Sequence, residues 1–204
     1  MKYILGTKQQ MTQFYTADGK CVAATVLVAG PITVTAVKNV ERDGYVAAQI
    51  GFGKQLPQRL NKAQVGALKD LGSFKTLREF RPKNGELDVT VGQTIGADVF
   101  SAGDAVTVSA TSKGKGFQGG VKRHGFHGGP RSHGQAHSER EVGSIGAGGM
   151  QRVMKGLRMP GRMGSDKVTV KGLSILAVDP VNNLLVVSGA VPGRRGTVVE
   201  VTGN

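Results

Sequence analysis

Short runs of alternating apolar and polar residues recur toward both ends of the chain and lapse in its middle. Residues 32–38, ITVTAVK, set β-branched side chains at alternate positions, the pattern of a half-buried strand. Residues 13–17 and 20–28 flank Asp18-Gly19, a dipeptide suited to a tight hairpin turn. Further strands are expected over 45–52, after the Asp43-Gly44 turn, and over 87–91 and 105–110. One stretch has helical spacing: Asn61 caps residues 62–71, Val65, Leu68 and Leu71 share a face, and Gly72 ends the helix. The strand pattern returns over 167–170, 173–178, 184–188 and 197–201, with the turn DPVNN at 179–183. Many short strands parted by turn signals predict a mainly β protein, a barrel or sandwich rather than a parallel sheet.

Between the two strand series lies a segment of a different kind. From Thr111 to Gly164 the chain holds fifteen glycines and few sizeable apolar residues. Its cations are Lys113, Lys115, Lys122, Arg123, Arg131, Arg140, Arg152, Lys155, Arg158 and Arg162, against Glu139 and Glu141 alone, so ten minus two gives +8 of the chain's +13. A structureless loop of this length within a domain is expected only where it has a function or is disordered. The whole chain, at pI about 10.2, favours a polyanionic partner. A membrane is disfavoured, because no run approaches the roughly 20 apolar residues of a spanning helix. The opening MKYILGTKQQ is broken by Gly6 and Lys8 and does not match a secretory signal. The single cysteine, Cys21, fits a reducing, cytoplasmic compartment.

Three chemistries compete for the middle segment. Gly114, Gly116 and Gly119 spell GxGxxG, but VKRHGFHGGP is a poor helix opening, and that fingerprint needs a strand before it and a helix after it. His124, His127, His133 and His137 have zinc-compatible spacing, yet the chain brings no nearby cysteine and surrounds them with cations, so no metal or other cofactor is expected. An enzyme acting on RNA through these histidines would need a tuned acid and base, and no paired carboxylates accompany them. A free-standing RNA chaperone is the other alternative. RNA binding by an extended arm uses all the features together: glycine allows close backbone approach, cations neutralise phosphates, and aromatic rings stack on exposed bases.

Expected phosphate contacts are Lys113, Lys115, Lys122, Arg123, Arg131, Arg152, Lys155, Arg158 and Arg162. Gly114, Gly116, Gly119 and Gly120 provide close approach, and Phe117, His124, Phe126 and His133 are available for stacking or donation. Arg194 and Arg195 in VPGRRG are weaker candidates.

The run TSKGKGFQGGVKRHGF, continuing through SHG and GSIG to MPGRMG, resembles the ribosomal protein L three family of the large subunit. LGTKQQMTQFYTADGK and VTVKGLSILAVDPVNNLLVVSGAVPG extend the similarity over nearly the whole chain, with 54–81 the weakest part. The resemblance implies a closed β-barrel similar to the second domain of translation elongation factors, formed by 1–53, 82–111 and 165–204. It implies a small helix-containing insert at 54–81 and a long irregular finger at 112–164 that penetrates large-subunit (23S-type) rRNA toward the peptidyl transferase region. The role implied is that of a non-enzymatic structural constituent of the cytoplasmic large subunit. Such a protein binds rRNA early in assembly beside ribosomal proteins L fourteen and L nineteen, with no small-molecule substrate.

Some bacterial members of the family carry a methylated glutamine shortly after GSIG. Here Ala147 to Met150 hold no side-chain amide, and Gln151 directly precedes Arg152-Val153. An unmodified tip is expected, and peptide mass spectrometry of ribosome-derived protein should find Gln151 at its unmodified mass.

Overall fold

A computed structural model describes residues 2–69, 71–82 and 87–203. It divides the chain into two compact units, Met1–Thr111 with Lys167–Asn204, and Ser112–Asp166. The strands of the first unit are β1 (Tyr3–Tyr15), β2 (Cys21–Ala29), β3 (Ile32–Lys38), β4 (Ala47–Lys54), β5 (Phe74–Phe80), β6 (Thr94–Ile95) and β7 (Ala105–Thr111). The second unit holds β8 (Gly116–Gln118) and β9 (Gly161–Met163), after which β10 (Lys167–Asp179), β11 (Leu184–Ser188) and β12 (Val198–Gly203) return to the first. The helices are short: α1 (Val40–Asp43), α2 (Lys62–Ala67) and, in the second unit, α3 (Gly120–His124). The protein is mainly β, as its alternation predicts.

Six strands of the first unit pair antiparallel in the order β1-β12-β7-β10-β11-β2, and β2 pairs back onto β1, which closes a barrel. The apolar alternation explains what lies inside it. Val106, Val108 and Ala110 of β7, Leu185 and Val187 of β11, and Val199 and Val201 of β12 are buried while their neighbours along each strand are not. They meet Leu5, Leu27 and Ile175 in one aliphatic cluster. Thr25, buried among them, satisfies its hydroxyl by donating to the Gly189 carbonyl at 2.7 Å, as a buried polar group must. A second sheet, β5-β4-β3-β6, adds Ile32, Val34, Ile50 and Phe52 to the same cluster.

Several local expectations are corrected. Residues 87–91 form no strand. The helix capped by Asn61, whose side chain accepts from the Gln64 amide at 2.7 Å, stops at Ala67 rather than continuing to 71. Leu68 is buried but Val65 is exposed, so the helix has too little apolar face to extend. Asp70, within the expected helix, lies outside the described residues. The Asp43-Gly44 turn is the end of α1, with Gly44 in the left-handed conformation.

Strand β5 carries no clean alternation in FKTLREF. It forms because Phe74 covers Gly51 and Phe80 stacks 4.7 Å from Tyr3. Expected as two strands, 167–170 and 173–178 are one, bent at a bulge where Gly172 adopts φ +72°. A left-handed glycine is a usual way to seat such a bulge.

Gly6 of β1 shows how tightly neighbouring strands approach. A Cβ there would lie 2.7 Å from the Val28 carbonyl oxygen, a backbone atom that cannot step aside. Gly6→Ala should destabilise the first unit by about 1–3 kcal/mol and lower its melting temperature. Gly66, in α2 with open space around it, should tolerate alanine or gain up to ~1 kcal/mol from helix propensity. Thermal unfolding of the two variants checks the contrast.

Candidate nucleic-acid interface

The second unit, Ser112–Asp166, begins and ends with backbone pairing. The Ser112 amide donates to the Asp166 carbonyl at 2.9 Å and the Lys115 amide to the Met163 carbonyl at 3.0 Å. β8 then pairs antiparallel with β9, placing Phe117 opposite Arg162. Phe117 is 77% exposed, so an aromatic ring and a guanidinium stand on this two-stranded ladder with nothing in the unit covering the ring. Lys113, Gly114, Lys115 and Gly116 precede it, all exposed. Gly164, at φ +76°, lies where a Cβ would come within 2.2 Å of the Lys113 carbonyl oxygen. Glycine is required there because the two backbones touch.

Helix α3 was not expected from the sequence. Gly119 stands at its N-terminal cap and Gly125 ends it in the left-handed conformation. Lys122, Arg123 and His124 occupy its last turn, where cations complement the partial negative charge of the final carbonyls. The GxGxxG run therefore does have a strand and a helix after its first glycines. Yet the strand is three residues long and belongs to an antiparallel pair, so the βαβ setting of a dinucleotide site is missing.

The side chains of α3 are partly used within the unit. Arg123 Nη1 donates to the Met159 carbonyl at 2.7 Å, and His124 Nε2 lies 3.0 Å from the same oxygen. Gly120 is buried, because a Cβ there would come within 2.8 Å of the Phe126 ring. Phe126 is half-buried between neighbours: the His124 ring centroid is 5.7 Å away and the Arg158 guanidinium 5.1 Å from the ring centre. Gly120, His124, Phe126 and Arg158 thus form one small packed group, whereas Phe117 is free on the outside.

Lys122, Arg131, His133, Arg152, Lys155, Arg158 and Arg162 are exposed. Arg131 Nε pairs with Glu139 at 2.7 Å, but both side chains are solvent-accessible, so the pair is worth little in itself. His133 has φ +61°. Among the described residues no three His, Cys, Asp or Glu side chains gather to hold a metal.

Arg194 and Arg195 belong to the first unit and are exposed on a turn before β12. How that turn is held could not be read from local sequence. Lys8 Nζ donates to the carbonyls of Val191 at 2.6 Å and Gly193 at 3.2 Å. The Gly196 amide donates to the Lys8 carbonyl at 2.7 Å. The one clue was a lysine breaking the apolar start of β1.

Backbone hydrogen bonds thin out along the second unit. Between 143 and 156 the described ones are limited to a Gly146 amide 3.5 Å from Ser144 Oγ and a Leu157 amide reaching back to Met154 at 3.3 Å. Amide exchange of the free protein should therefore show protection at Lys115, Arg123 and Gly125 and fast exchange across 144–156. Gly164→Ala should abolish protection at Lys115 while leaving the amides of β7 and β12 unchanged.

The chain is also similar in sequence to known proteins. A family model described as Ribosomal protein L3 matches residues 86–183. Proteins named large ribosomal subunit protein uL3 are similar over almost the full length. The one from Heliobacterium modesticaldum is 48% identical over 201 residues, covering 97% of this chain and 95% of the relative. That from Carboxydothermus hydrogenoformans is 45% identical over 203 residues, covering 98% and 96%. The Desulforudis audaxviator protein is 48% identical over 202 residues, covering 98% and 94%. With 45–48% identity over nearly its full length, the chain belongs to the ribosomal protein L3 family.

Proposed function

We propose that this chain is a structural, non-enzymatic constituent of the large subunit of the cytoplasmic ribosome, bound to its rRNA chiefly through residues 112–164. The observation that carries the reading is the second unit's surface. Ten cations face two carboxylates between 111 and 164, most of them exposed, on a segment whose described residues include almost no buried apolar side chain. Such a surface is stabilised by phosphates, through counterion release and charge-assisted hydrogen bonds. Exposed Phe117 beside Arg162 suits stacking on an unpaired base. Arg194 and Arg195, on the turn fastened by Lys8, offer a second contact from the barrel.

In this reading the barrel, of the kind found in the second domain of translation elongation factors, docks on the rRNA surface. The 112–164 finger enters between rRNA helices toward the peptidyl transferase region. Binding occurs early in subunit assembly, near the 3′ end of the large rRNA, with ribosomal proteins L fourteen and L nineteen as neighbours. Family kinship supports these finer statements, and the charge and exposure of the second unit are consistent with them.

Sedimentation and salt titration test the proposal together. The chain should comigrate with large subunits after a salt wash. If it neutralises about 6–10 phosphates, rRNA affinity should fall by about 10³–10⁵ between about 50 and 200 mM salt. Replacing 113–163 by a short Gly-Ser bridge should flatten that slope without altering the barrel's thermal transition. An unchanged slope would place the main RNA contact on the barrel, and a chain found solely in the free pool would overturn the assignment.

A further inference from the structure

The second unit contains a cavity of about 730 Å³ whose wall includes Phe126, Arg158, Gln135, Ser138 and Glu141. Its lining is unlike the rest of the unit. Phe126 is fixed from behind, with Gly120 close beneath the ring and Val142 also packed against Gly120, and the Arg158 guanidinium lies 5.1 Å from the ring centre. Gln135, Ser138 and the glycine backbone of 128–129 add polar groups around the opening.

Glu141 is the informative residue. Of the two carboxylates between 111 and 164, Glu139 is paired with Arg131 at 2.7 Å, whereas Glu141 has no ion pair or hydrogen bond among the described residues. A free carboxylate is misplaced on a surface made for phosphates, since it repels them. Ionised, it accepts hydrogen bonds and donates none. It therefore suits an occupant that brings N–H donors into a basic, aromatic-walled recess. Among RNA bases, guanine presents two adjacent donors, N1–H and the N2 amino group, to the two oxygens of one carboxylate. Cytosine and adenine place a ring-nitrogen acceptor beside their amino group, and that acceptor would face the same negative charge. Uracil offers one N–H between two carbonyls.

We infer that this cavity captures a single unstacked guanine, its Watson–Crick edge on the Glu141 carboxylate and the rest of the base against the Phe126 and Arg158 wall. Recognition of a splayed-out base by its Watson–Crick edge and by stacking is an established mode for single-stranded RNA. The inference rests on the rRNA-binding reading above and adds to it a base-selective site within a surface otherwise directed at phosphates.

The test is kethoxal probing, which modifies guanine at N1 and N2, of large subunits carrying the native chain, Glu141→Gln or Gln135→Ala. Glutamine keeps one acceptor oxygen and replaces the other with an amino group, so the side-chain volume is nearly conserved. One guanine should be protected in native subunits. Its reactivity should rise about five-fold or more in Glu141→Gln subunits, the low end of what losing a bidentate base contact does. Gln135→Ala should raise the same guanine, by less.

Subunits that incorporate Glu141→Gln normally but show no change at any guanine overturn the inference and leave the rRNA-binding reading intact. So does a change confined to adenine, cytosine or uracil under reagents specific for those bases. Failure of both variants to incorporate would assign Glu141 and Gln135 to the fold of the unit and also overturn it. Failure of the native chain to incorporate would overturn the rRNA reading itself.

Discussion

The ladder between β7 and β10 sets Thr111 opposite Lys167, and the second unit depends on it. Everything from 112 to 166 leaves and rejoins the barrel at paired backbone positions. Bringing the ends of a flexible segment of this length together costs on the order of 3–4 kcal/mol in chain entropy, and mutual repulsion of its cations adds to that cost. Among its described residues no buried apolar cluster forms to offset either. Barrel strands with buried Val106, Val108 and Ala110 supply the anchorage instead, and within the second unit β8 pairs with β9.

The two units solve the problem of backbone and side-chain satisfaction differently. In the first, strand ladders close the barrel's backbone and aliphatic side chains fill the interior. In the second, long cationic and amide side chains reach carbonyls that a sheet would otherwise serve: Arg123 bonds to Met159, and Gln118 bonds to Lys115. Glycine works there in two ways. At Gly164 it lets backbone touch backbone, and at Gly120 it makes room for the Phe126 ring. A phosphate-facing surface so built leaves most charges outward while spending a few on its own framework.

Legibility in the sequence followed the physics of each part. Strands with β-branched alternation, such as Ile32–Lys38, and strands bounded by turn residues, such as Leu184–Ser188, match their expected limits because period and burial agree. Strand β5 escaped because its burial comes from two phenylalanines meeting Gly51 and Tyr3, contacts distant in sequence. Helix α3 escaped because one turn capped by glycines has no apolar period to read. The basic character of 112–164 was plain from composition. Which of its residues face outward was not, since the packing of Phe126 against Gly120 and Arg158 is tertiary. Lys8 read only as a break in the apolar opening of the chain and proved to be the fastening of a turn almost two hundred residues later.

That fastening, with the pairing of Tyr3 to Thr202, ties the earliest-made strand of the barrel to its last-made one. The barrel cannot close, and Arg194 and Arg195 cannot be presented on their shaped turn, until β12 has emerged from the translating ribosome. The contacts within 112–166, by contrast, are complete in sequence before β10 is made. The basic segment is therefore exposed on a nascent chain whose globular part is still open, with non-local strand pairing as the slow final step. During that interval the segment is available to any nearby polyanion, so timely release of a finished chain bears directly on where this protein first settles.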